Sequence, residues 1–175
     1  VLGLGKLPVY QDEQFRYLTE KLNGYITGAY VYNKMGLTEQ VATTITIATP
    51  NPVRRFRFKN LDIECVKAYC MVYPDESLVP YLRLLDAIKD MKRIPGTTGQ
   101  DIYNRVKSQY FNGYSLPELE KIVSLAKSYP PRVRKVVADI LGDIRQTVLQ
   151  TEMAKTILPT TRFNLDYKTR KTQLR

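Results

Sequence analysis

Asp62, Glu64 and Lys67 fall within six residues, and two carboxylates with a lysine are the groups that metal-dependent nucleases set around Mg²⁺. Their spacing argues against that chemistry. On an extended chain side chains alternate, so Asp62 and Glu64 share one face while Lys67 takes the other, and only a bulge would bring the three together. The expectation is acids on a solvated sheet face, with an Mg²⁺-dependent nuclease as the alternative. Asp86, Lys89 and Asp90 have the i, i+3, i+4 spacing of a helix and read as ordinary surface ion pairing. The sequence contains no histidine, which removes Ser-His-Asp and Cys-His catalysis, histidine bases and histidine-ligated metals. Gly3-Leu4-Gly5-Lys6 lacks the first glycine, the spacing and the Ser or Thr of a phosphate-binding loop. Cys65 and Cys70 cannot complete a four-ligand zinc site without histidine and are expected as buried, reduced thiols. No catalytic residue, metal site or cofactor is therefore expected, and the chain is read as non-enzymatic.

Charge is the remaining lead. The 175 residues carry a formal charge of +10, which favours polyanionic partners, nucleic acid first. Three clusters hold candidate nucleic-acid contacts. Arg55, Arg57 and Lys59 alternate with Phe56 and Phe58, a wet face over an apolar one. Arg132, Arg134 and Lys135 crowd the predicted first turn of a helix, where cations oppose the dipole and are better explained by a nearby anion. Lys168, Arg170 and Lys171 lie in a tail whose single acid is Asp166. The thirteen tyrosines offer stacking platforms for bases, Tyr25, Tyr30 and Tyr32 among them, but core packing with hydroxyls reaching the surface is the expected role. No stretch approaches the ~18–20 apolar residues of a membrane span and the start does not have the pattern of a signal peptide, so no membrane partner is expected and the location is read as cytoplasmic.

The elements that must carry these residues follow from periodicity. Phe15, Leu18 and Leu22 form a helical stripe, and a shorter helix is expected from Gly28 to Met35 with Thr27 as its cap and Gly36 as its end. Thr44–Thr49, Arg55–Lys59 and Leu61–Cys65 alternate as strands and suggest an antiparallel meander. Leu78, Leu82, Leu85 and Ile88 open a second helical region capped at Asp75 or Ser77. Helices follow over Asp101–Phe111, after the Ser115-Leu116-Pro117-Glu118 capping box, and from Pro131, the last continuing past Leu149 in spite of Gly142. The expected fold is α+β: a small antiparallel sheet of three to four strands packed with six helices, residues 1–157 as one domain and 158–175 as a basic C-terminal arm.

Three segments carry a family resemblance: Gly24-Tyr25-Ile26-Thr27-Gly28 through Tyr32-Asn33-Lys34-Met35-Gly36-Leu37-Thr38-Glu39-Gln40-Val41, then Leu84–Lys89 to Ile94-Pro95, and Tyr129-Pro130-Pro131-Arg132-Val133-Arg134. Together with Leu158–Phe163 they resemble an uncharacterised bacterial family, common in Bacteroidetes, grouped with the AbiEi-type antitoxins and transcriptional regulators of abortive-infection systems. The resemblance implies an antitoxin-like α+β domain that follows a winged helix-turn-helix, with residues 1–10 as the linker from that missing headpiece. It also implies a toxin–antitoxin system, repression of its own operator DNA, and a nucleotidyltransferase-like toxin as partner. It supplies no catalytic residues. A pure protein-interaction module, its positive surface matched to an acidic partner, stands as the remaining alternative.

Overall fold

A computed structural model describes residues 9–70 and 75–170, so Gly3–Lys6, most of the expected linker, and Lys171 with the end of the tail lie outside the described residues. Four strands, β1 (Tyr25–Thr27), β2 (Thr44–Thr49), β3 (Arg55–Phe58) and β4 (Leu61–Lys67), make one sheet in the order β1-β2-β4-β3. The class is α+β, as expected, but the sheet is mixed: both outer pairs are antiparallel, whereas β2 and β4 run parallel in the centre. Burial explains the departure from a simple meander. Ile45 and Ile47 of β2 lie beside Ile63 and Cys65 of β4, all buried, so the two apolar strands take the middle. The arginine-bearing β3 is left at the edge, where charge also blunts pairing with another chain.

Strand β1 was not evident in the sequence. Its three residues are all buried and pair with Thr46–Ala48, so Thr27 belongs to the sheet and is not the expected helix cap. Gly28 takes that place with φ 78°, followed by α2 (Ala29–Lys34), which ends at Met35 before the left-handed Gly36. α1 (Val9–Lys21) and α2 cover one sheet face: Phe15, Leu18, Leu22 and Val31 pack on Ile45, Ile47, Ile63 and Cys65. Where α1 ends, the carbonyl of Leu22 accepts from Thr49 Oγ1 and, at 3.1 Å, from Asn51 Nδ2, which fixes the helix end to the tip of β2.

The larger core is helical. α3 (Val79–Asp90), α4 (Gly99–Gln109), α5 (Leu116–Ala126), α6 (Pro131–Asp143) and α7 (Thr147–Lys155) assemble around Leu82, Leu85, Ile102, Ile122 and Val137, with a 3₁₀ turn at Phe111–Gly113. Thr98 and Asp101 form a capping box on α4, and Glu118 accepts from both the N–H and the hydroxyl of Ser115 at the start of α5. α3 starts later than expected, at Val79, because Asp75 closes a turn by accepting from the Ser77 N–H. The last expected helix is two helices. Arg145 takes φ 64°, the chain reverses, and α7 folds back on α6, making seven α-helices among the described residues. No helix among the described residues is long and apolar enough to cross a membrane.

The C-terminal segment does not project as an arm through its described length. Tyr167 is 7% exposed, stacks on Tyr103 at 4.4 Å and donates to Asp139, while Asp166 pairs with Arg132 at 2.6 Å. Gly99, the first residue of α4, leaves room for the Asp166 carboxylate, which an added Cβ would meet.

Two glycines give opposite expectations. A Cβ at Gly24 would overlap the Ala48 carbonyl, rigid backbone in a central strand, so Gly24→Ala should lose about 2–3 kcal/mol. At Gly142 the nearest atoms are the mobile end of Gln150, and Gly142→Ala should be neutral or up to ~1 kcal/mol stabilising, since alanine is the better helix former. Urea unfolding midpoints of the two variants check this; equal effects would contradict it.

Candidate functional site

α3 is apolar almost all round, with Leu82, Leu84, Leu85, Ala87 and Ile88 buried, and Asp86 lies inside that run at 1% exposure. The surface ion pairing expected for Asp86, Lys89 and Asp90 is therefore wrong for Asp86, which sits where sheet and helices meet. Its Oδ2 accepts from the Tyr25 hydroxyl and from Thr27 Oγ1, each at 2.8 Å, and its Oδ1 accepts from the Tyr129 hydroxyl at 3.0 Å. Lys89 Nζ lies 3.7 Å from Oδ1 and 3.8 Å from Asp90, which in turn accepts from the Tyr32 hydroxyl at 2.7 Å. Tyr25, Tyr32 and Tyr129 are core residues as expected, whereas Tyr30 is half-buried, and the hydroxyls of the first three reach carboxylates and not the surface. Burial holds the Asp86 carboxyl above the usual carboxylate range, outweighing Lys89 and the three hydroxyls; burial also raises Tyr25 and Tyr129 far above the ordinary phenol value.

A cleft of about 490 Å³ opens beside this network. Its floor is the second sheet face, Thr46, Glu64 and Val66, reached by the alternation that buries Ile45, Ile63 and Cys65 on the first. Gly28 and Tyr32 form one wall; Lys89, Asp90, Arg93, Ile94 and Pro95, at and beyond the end of α3, form the other. Lys67 also lines it, contrary to the strict alternation expected. It is the last residue of β4, and its Nζ lies 5.4 Å from the Tyr69 ring centre, with Lys89 Nζ at 5.6 Å. Tyr69 is itself stacked on Tyr129 at 5.1 Å.

The acids of the nuclease alternative have arginine partners across the β3–β4 pair. Arg55 donates twice to Glu64 Oε1, at 2.9 and 2.5 Å, and Arg57 lies 4.0 Å from Asp62. Among the described residues no three metal-ligating side chains cluster. Both cysteines are free, Cys65 buried and Cys70 half-buried.

The predicted cationic residues are dispersed. Arg55 and Arg57 stay largely exposed on the sheet edge, their side chains 81% and 72% accessible, with Arg54 and Lys59 in the same stretch. The helix-start cluster is used within the chain: Arg132 donates to the Asn164 carbonyl and to Asp166, Lys135 pairs with Asp139, and Arg134 has no carboxylate but donates to the Thr156 carbonyl. Lys168 and Arg170 keep exposed side chains while their backbone N–H groups donate to Gln100 and Asp143.

A second groove, about 320 Å³, is lined by Phe15, Tyr30, Met35, Pro80, Tyr110 and Tyr114 around Arg83. Arg83 Nε donates to the Ile26 carbonyl at 2.8 Å, and no carboxylate of the described residues lies within ion-pair distance; burial lowers its pKa.

Compared with known proteins, the chain matches no family model, no curated protein and no solved structure.

The buried carboxyl yields a signed pH dependence. Because its folded pKa is raised, the folded state binds this proton more tightly than the unfolded chain, and the associated stability falls as pH rises from the ordinary carboxylate value through the raised one. Asparagine cannot ionise, so Asp86→Asn should gain stability relative to the native chain as pH rises from the ordinary carboxylate value, read by urea unfolding over a pH series. A relative loss would mean that Lys89 and the hydroxyls outweigh burial. Asp86→Ala, leaving the Tyr25 and Thr27 hydroxyls without their acceptor and Tyr129 with only the Leu82 carbonyl at 3.4 Å, should cost about 3 kcal/mol.

Proposed function

We propose that this chain is the non-enzymatic, nucleic-acid-associating part of a cytoplasmic bacterial antitoxin-type transcriptional regulator, similar to those of AbiEi abortive-infection systems. The observation that carries the association is the sheet edge: Arg54, Arg55, Arg57 and Lys59 lie within six residues on or beside β3, and Arg55 and Arg57 project into solvent. Asp62, the acidic partner of Arg57 on β4, is solvent-accessible too and lies 4.0 Å away, so exchanging its carboxylate for a phosphate costs little desolvation. The net charge of +10 supports the same reading, and the family resemblance supplies the regulatory context. Contacts of this kind track phosphates and position a protein on a duplex without reading its sequence, which suits a domain that accompanies a separate DNA-reading headpiece.

Binding to duplex DNA should fall linearly with salt on a log-log scale, and Arg57→Glu with Lys59→Glu should weaken it alike for all sequences, lowering the slope by roughly 1 per lost contact. Arg132→Glu should instead lower the unfolding midpoint, since its partners are Asn164 and Asp166. A salt-independent affinity, or one untouched by reversal at the β3 edge, removes the DNA reading.

The second groove favours a further reading, a protein partner. Arg83 is a partly buried cation without a carboxylate, ringed by tyrosine, phenylalanine and methionine, the residue types enriched at the centres of protein interfaces. An acidic side chain on a nucleotidyltransferase-like toxin is the complement that the family context suggests.

A further inference from the structure

Of the three cations lining the cleft beside Asp86, Lys67 and Arg93 make no ion pair among the described residues, whereas Lys89 is shared between Asp86 and Asp90. Of the acids lining the cleft, Glu64 is answered by Arg55, and Asp90 accepts from Tyr32 and faces Lys89. Lys67 makes a contact with the Tyr69 ring. Lys89 is fixed from two sides, by Asp86 and Asp90, so its ammonium is held in place before any ligand arrives. Two unpaired cations on one concave surface, Lys67 and Arg93, beside a preorganised Lys89, match an anion with several acceptor oxygens better than a single carboxylate.

Size narrows the ligand. About 490 Å³ lies within the roughly 300–1,000 Å³ of small-molecule sites and is far more than a bare phosphate fills. The remaining lining is suited to a ring or sugar: Val66, Ile94 and Pro95 are apolar, and Thr46 offers a hydroxyl on the floor. Gly28 keeps the wall close to that floor, since a Cβ there would collide with Thr46.

We propose that this cleft binds a small phosphate-bearing molecule of mononucleotide size, its phosphate held among Lys67, Lys89 and Arg93 and its ring or sugar against Val66, Ile94 and Pro95. The phosphate can come from a free nucleotide or from the phosphorylated end of a nucleic-acid strand, and the chemistry of recognition is the same. This site is separate from the DNA contact assigned to Arg57 and Lys59, and each can fail without the other.

Isothermal titration of the full chain tests it with inorganic phosphate, pyrophosphate, nucleoside 5′-mono- and diphosphates, the matching nucleosides, and short oligonucleotides with and without a terminal phosphate. A phosphorylated nucleotide should bind and its nucleoside should not. Lys67→Glu and Arg93→Glu should each weaken nucleotide binding at least tenfold, while Lys155→Glu, exposed on α7 away from the cleft, leaves it unchanged. If either reversal disturbs the thermal transition, Lys67→Gln and Arg93→Gln give the reading, with a smaller loss in the same direction. Competition between the nucleotide and an end-phosphorylated oligonucleotide identifies a strand end as the source; its absence identifies the free nucleotide. No binding of any small phosphorylated probe at millimolar concentration overturns the proposal, as does binding that survives substitution of both Lys67 and Arg93.

Discussion

Three hydroxyls converge on the carboxylate of Asp86 from two distant parts of the chain: Tyr25 and Thr27 from β1, and Tyr129 from the junction between α5 and α6. Removing a carboxylate from water is expensive, and it is tolerated only when its lone pairs are occupied and the geometry is good. That condition works in both directions. The acid is held by sheet and bundle, and sheet and bundle are held in register by the acid, because any shift of β1 along α3 would strand a buried hydroxyl. Arg83, three residues earlier on α3, adds a second tie to the same strand through the Ile26 carbonyl. A three-residue strand thereby becomes a fixed joint between the two halves of the core.

The same pairing recurs around the helical bundle. Tyr32 donates to Asp90, Tyr103 to Asp143 and Tyr167 to Asp139, so tyrosines deliver apolar rings to the core and place their hydroxyls on acids at its margin. Asp143 also takes Lys107 at 3.1 Å and the backbone N–H of Arg170, and Asp139 takes Lys135. Through these acids the C-terminal segment is tied to α4 and α6. The cations at the start of α6, unfavourable beside a helix N-terminus on their own, are compensated by Asp166 and by the carbonyls of Asn164 and Thr156.

The fold class was legible in the sequence, and most helix positions followed from apolar period and capping signals; Ser115 with Glu118 is one instance where local chemistry alone determines the start. What failed depended on partners distant in sequence. β1 is three residues long, too short to show alternation, and exists because β2 offers an edge and α3 a roof. The parallel pairing of β2 with β4 reflects which strands are most apolar once all four compete for the centre. The role of Asp86 was within reach: an acid flanked by Leu84, Leu85, Ala87 and Ile88 has apolar neighbours in nearly every direction around a helix, and charge spacing with Lys89 and Asp90 hid that. The basic tail misled because composition counts its cations and not Tyr167, the residue that docks it.

Internal use of charge changes what the excess of +10 can do. Arg132, Arg134 and Lys135 hold the chain to itself, so reversing them tests folding before it tests binding. The cations left for other molecules fall into two environments. At the β3 edge they stand in water, where attraction is screened over about 8–10 Å at physiological salt and discriminates little between polyanions. In the cleft, Lys67 and Arg93 are themselves exposed, but they share a concave surface with the positioned Lys89, so geometry decides which anion fits. The rim is suited to holding a polymer loosely and the cleft to recognising one group closely, and the carboxylate that keeps Lys89 in place is the one that joins sheet to helices.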